Sequence, residues 1–149
     1  MIAKVLGQKN FAETGGTWEV TEDGIITVTF GGRRSSDAAV VHEAQWFAEC
    51  LSVLKEHSRD ATWTALVDLK NVPEDHRPPH EASEWYTHLL RDERLTKVAL
   101  VHATTIQRAI VAILLAPIFF MDKIHYFASR GAAEDWLRSE HAHAASVNW

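Results

Sequence analysis

Two runs near the start of the chain alternate apolar and polar residues. They are TWEVT (Thr17 to Thr21) and IITVTF (Ile25 to Phe30), separated by Glu22-Asp23-Gly24. Asp-Gly between alternating runs predicts a β-hairpin. Alternation puts Trp18 and Val20 on one face of the first strand, and Ile26, Val28 and Phe30 on one face of the second. The period then changes. From a Ser36 N-cap to about Ser58, Val40, Ala44, Phe47, Leu51 and Leu54 recur at spacings of 4, 3, 4 and 3, which is one face of a helix. Within ATWTALVDL the apolar core Ala65-Leu66-Val67 reads as a buried strand, as does TKVALV, Thr96 to Val101.

Three of the four prolines fall between Asn71 and His80, which excludes helix there. A second helix is predicted over Glu81 to Asp92, burying Trp85 and Leu89. Thr104 with Gln107 three residues on is a capping-box pattern and opens a third helix. KIHYF, Lys123 to Phe127, is the last strand, and Arg130 to Glu140 is a closing helix with Ala133, Trp136 and Leu137 inward. The predicted order is β-β-α-β-α-β-α-β-α. It implies an α/β fold with a mixed, mostly parallel sheet of four to five strands.

The 149 residues suit one domain, 1–149, with residues 139–149 expected as a flexible C-terminal tail. The composition, 46% hydrophobic and 23% charged, is that of an ordinary globular chain. A net charge of -5 argues against nucleic acid as a partner, because phosphate binding needs a basic surface. The lone Cys50 excludes an intramolecular disulfide framework and suggests a reducing, cytoplasmic setting. MIAKVLGQKNF carries Lys4 and Lys9 and has no apolar stretch of signal-peptide length. The longest apolar run, Ala109 to Met121, has 13 residues broken by Pro117, too short for a transmembrane segment.

The hairpin WEVTEDGIITVTFGG, the strand-and-turn ALVDLKNV, the pair KVALVHATTIQR and the closing IHYFASRGAAEDWLR resemble the SpoIIAA-like branch of the STAS and Sec14-type domains, over residues 16–138. The resemblance implies proteins that bind or regulate rather than catalyse. It also implies a carrier of a lipid or other apolar small molecule as one use of the fold. Anti-sigma antagonists of the STAS group carry a phosphorylatable serine in the turn after the strand that matches ALVDL. Here that turn is Asn71-Val72-Pro73-Glu74-Asp75, with no hydroxyl before Ser83, so a phosphate switch is not implied.

No GxGxxG, P-loop or GxSxG motif occurs among the seven glycines, so no nucleotide cofactor is implied. Among nine histidines, His80, Glu84 and His88 share a helical face and are the candidate metal ligands, with His76 able to join from the loop. A solvated helix face explains the same spacing, and no resident metal or other cofactor is expected. Asp68 and His102 end successive buried strands, where an acid–histidine pair could act as a general base. Thr104 and Thr105 at the start of the third helix could hold an anion. Strand-end and cap roles account for all four residues equally well.

The third helix is apolar all round from Ala109 to Ala116. Such a helix needs cover on every side. Ala109, Ile110, Ile113, Leu114, Phe119 and Phe120 are therefore the candidate interface, most simply of a homodimer. The expected function is a non-catalytic binding or regulatory domain that contacts itself or another protein. An apolar-ligand carrier is the first alternative, and a hydrolase using Asp68 and His102 the second.

Overall fold

Gly24 adopts φ 80°, a conformation that side chains with a Cβ resist, and so folds β2 (Gly16–Thr21) back on β3 (Ile25–Thr29). Trp18 then pairs with Val28 and Val20 with Ile26, and all four are buried on one face. The structure is a computed structural model that describes residues 4–34, 36–114, 116 and 121–147, with side chains through residue 138 except at 121.

Upstream of the hairpin, Val5–Phe11 forms a further strand, β1, antiparallel to β2. Its residues are exposed from Val5 to Asn10, so no alternation marks it in the sequence. The strand is held by its pairing rather than by burial of one face. After β3 come β4 (Trp63–Asp68), β5 (Leu95–Val101) and β6 (Ile124–Phe127), each parallel to the strand before it. The sheet therefore has six strands in chain order, with two antiparallel and three parallel pairings. The expected four- to five-stranded, mostly parallel sheet is corrected on both counts. The added edge strand raises the strand number, moves the start of the element order, and sets a second antiparallel pairing beside the three parallel ones. The α/β class stands.

Four helices cover the sheet: α1 (Asp37–His57), α2 (His80–Leu90), α3 (Thr105–Leu114) and α4 (Arg130–Val147). Crossovers between parallel neighbours are right-handed, so connections that keep stepping the same way leave their helices on one face. Phe47 and Leu51 of α1, Leu89 of α2 and Val111 of α3 accordingly pack with Val28, Ala65, Val98 and Ile124. Following the last strand, α4 returns over the other face, where Ala133 and Leu137 meet Leu66, Ala99 and Val101. Strands β3 to β5 thus have both faces covered, and β4 and β5 accordingly carry continuous apolar runs.

Ser36 caps α1 by accepting the N–H of Ala39 at 3.1 Å. Thr104 and Gln107 make both bonds of the capping box at the start of α3, 3.0 and 3.1 Å long. Two details differ from expectation. In α2, Trp85 and Leu89 are half-buried and the enclosed residues are Ala82 and Ser83, because the helix packs along α1 at its small residues. In α4, Trp136 is half-buried against Phe127, ring centres 5.3 Å apart, and Leu137 takes the enclosed position.

Candidate functional site

Strand register sets two rows of side chains beneath the three crossover helices. One row is Ile26, Ala65, Val98 and Ile124; the other is Val28, Val67, Leu100 and Tyr126. Ala65 is the small member of the first row, standing between Ile26 and Val98. Above it, Phe47 stacks on Phe30 at 5.3 Å and Phe30 on Tyr86 at 5.6 Å, which props α1 and α2 over the sheet. The space left between sheet and helices is an apolar cavity of about 190 Å³. Leu51, Leu89, Ile110, Val111 and Leu114 line it from the helix side.

The cavity is partly open, so its apolar lining is surface that gains by being covered.

Beside the cavity, at the carboxyl edge of the sheet, lies a buried polar cluster. Glu43, fully buried in α1, accepts from the Thr14 hydroxyl, from the Gly31 N–H at 3.0 Å and from Arg34 Nη1 at 2.6 Å. Gly31 is required there, since a Cβ would lie 2.1 Å from the carbonyl oxygen of Thr14. Arg34, its side chain 2% exposed, also donates from Nη2 to the Tyr86 hydroxyl at 3.4 Å and lies over the Phe30 ring. Burial pushes the Tyr86 phenol up to about 12. His76, from the proline-rich loop, and Ser83 are also among the residues around the cavity. Burial holds the His76 imidazole below the usual histidine range, and the Arg34 charge adds to the effect. Arg34 Nε and His76 Nε2 are buried without hydrogen-bond partners.

Asp68 and His102 are brought together, as their strand-end positions predict. His102 Nδ1 lies 2.9 Å from Asp68 Oδ1, and the same oxygen accepts the Lys70 N–H at 2.9 Å. His102 has φ 62°, left-handed backbone that histidine tolerates better than most side chains. The bond to the fully buried Asp68 holds that turn. Asp68 Oδ2 is buried without a partner, and the imidazole is 39% exposed. Chemically this is an oriented histidine. It also ties the loop after β4 to the loop after β5.

The other candidates separate. His80 Nε2 meets Glu84 Oε1 at 2.8 Å on an exposed face, whereas His88 lies edge-on to the Trp85 ring. Among the described residues no group of three or more His, Cys, Asp or Glu is gathered to hold a metal. Thr104 has its hydroxyl and N–H engaged by Gln107, so the cap of α3 is filled by the chain itself, and Thr105 is exposed. Of the candidate interface residues, Ile110 and Leu114 line the cavity, while Ala109 and Ile113 face outward. Phe119 and Phe120 lie outside the described residues. Cys50 is buried in α1, and burial raises its thiol to about 11, which suits packing rather than nucleophilic attack. Among the described residues no helix is long and apolar enough to cross a membrane.

Sequence reasoning missed the cavity and the buried polar cluster beside it. Its signal is a charged residue inside an apolar stripe: Glu43 sits three residues after Val40 and four before Phe47. Fold and site together define an α/β domain with a mixed sheet built around a ligand-sized apolar cavity. No known protein family, curated protein or solved structure matches this chain.

Proposed function

We propose that this chain is a non-catalytic, STAS-like binding domain that takes up a small apolar molecule between its sheet and its three crossover helices. The observation that carries this reading is the 190 Å³ apolar cavity. An engineered apolar cavity of about 150 Å³ stays dry and binds benzene, so a space of this size and lining suits a hydrocarbon body. The carrier use implied by the resemblance points the same way. Binding of decan-1-ol is the direct test, followed through the fluorescence of Trp18, which lines the cavity. Ala65→Leu should fill the floor of the cavity, abolish that binding and raise the melting temperature of the free protein. Equal binding by the wild type and Ala65→Leu would sink the proposal.

A second reading, self-association through α3, rests on Ile106 at 49% and Ile113 at 71% exposure on its outer side. Light scattering over a dilution series tests it. A dimer lost in Ile113→Asp supports this reading, and a monomeric mass at every concentration excludes it.

A further inference from the structure

Asp68 and His102 do not line the cavity, so the ligand-binding reading leaves this pair unused. Asp68 is fully buried, and its Oδ1 meets both the Lys70 N–H and His102 Nδ1 at 2.9 Å. A carboxylate oxygen accepts, so the ring proton sits on Nδ1 and the lone pair on Nε2. Nε2 has no hydrogen-bond partner among the described residues, and the imidazole is 39% exposed. The ring is therefore held on one side and open on the other. It stands on left-handed backbone, φ 62°, and strained backbone of this kind collects at functional sites. It also follows the carboxyl end of β5, beside that of β4, where ligands meet open α/β sheets.

The surroundings decide what the open nitrogen can do. No serine, threonine or cysteine side chain bonds to it among the described residues, so the ring has no hydroxyl or thiol to activate. Nε2 is itself the reactive atom. Asp68 Oδ2 is buried without a partner, and no lysine or arginine pairs with Asp68 among the described residues. The ring is thus the group placed to carry a matching positive charge. That charge appears when Nε2 bonds to an electrophile. Acyl transfer also needs donors for a developing oxyanion, whereas phosphoryl transfer asks mainly for a positioned nucleophile. α3 starts three residues on, and the N-terminal end of a helix favours an anion.

We infer that His102 is a phosphoryl acceptor, its Nε2 taking the group from a phosphoramidate-type donor while Asp68 positions the ring. The Nε2 lone pair forms the new N–P bond. The donor's own P–N bond breaks, and its electron pair leaves with the donor nitrogen, which already carries its hydrogens. Nδ1–H stays on the Asp68 side, so no other proton moves. The phosphorylated ring then bears the positive charge that Asp68 matches. The inference does not depend on the apolar-ligand reading.

Incubation of the whole chain with potassium phosphoramidate, followed by mass spectrometry of peptides kept at alkaline pH, reads all nine histidines in one experiment. Exposure alone favours His80, whose side chain is 88% exposed and whose ring also meets a carboxylate, that of Glu84. His102 is expected instead to react at least about tenfold faster than His80, since a hydrogen bond to a charged group is worth that factor or more. Phosphorus NMR should place the group on Nε2. In Asp68→Asn the amide offers Nδ1 a donor as well as an acceptor, so the tautomer is no longer fixed. That variant should react at least about tenfold more slowly at His102 and on both ring nitrogens, with His80 unchanged. A rate at His102 no higher than at His80, attachment at Nδ1 in the wild type, or an Asp68→Asn variant that matches the wild type in rate or in confinement to Nε2 would overturn the inference. The comparison within the wild-type chain needs no variant to fold.

Discussion

Replacing Glu43 by alanine is expected to lower the unfolding free energy by about 3–5 kcal/mol, the usual loss when one partner of a buried ion pair is removed. The size follows from what the carboxylate holds together. Thr14 from the β1–β2 turn, Gly31 after β3 and Arg34 before α1 all donate to it, and none of the three has water to fall back on. Without Glu43 the 2%-exposed Arg34 is left as an unpaired charge against the aromatic side chains of Phe30 and Tyr86. Glu43→Gln keeps the shape and one acceptor oxygen, so it should cost less than alanine. Urea denaturation of the two variants reads the effect. A midpoint for Glu43→Ala equal to the wild-type value would mean that the cluster contributes no net stability.

Leu137→Ala is the second large effect, expected at about 2–5 kcal/mol. Leu137 is fully buried where α4 crosses the sheet, packed with Leu66, Ala99 and Val101. Its neighbours are strand residues that cannot move inward without breaking the pairing of β4 with β5. The site therefore collapses poorly, which favours the upper part of that range. Trp136→Ala should cost less than full burial would dictate, since Trp136 is half-buried and rests on Phe127 and His125 at the rim. The order Leu137 above Trp136, measured in the same denaturation series, checks the face that α4 presents to the sheet. The reverse order would show that the helix is rotated.

What the sequence makes legible here depends on how one-sided each element is. β2 alternates because one face of it meets the core, and α1 has a regular stripe because one side of it does. β4 and β5 are apolar on both faces, and that same continuity places Asp68 and His102 side by side at neighbouring strand ends. β1 has no covered face and hence no pattern, since its place comes from backbone pairing that no side chain reports. The cavity is invisible for a different reason. It is a gap between rows, and it needs the register that sets Ala65 beside Ile26 and Val98. Of the adjacent Arg33 and Arg34, only Arg34 turns inward, where it meets Glu43 of α1, and adjacency in sequence gives no sign of which one does.

The strands lie in the sheet in the same order as they occur in the chain. Each new strand therefore pairs with the one made just before it, and no earlier segment has to wait with an open edge for a distant partner. The meander closes two tight turns, whereas each parallel pairing closes a crossover of roughly 20–35 residues, whose entropy grows only slowly with length. During synthesis the β1–β3 meander can form first, and β4, β5 and β6 can add in turn as each emerges from the ribosome. Domains are made from the N-terminus at roughly 5–20 residues per second, far slower than a hairpin closes. Only α4 must come last. Until it is made, the face of Leu66, Ala99 and Val101 stays bare, so a chain stalled before Arg130 is the form of this protein most prone to aggregate.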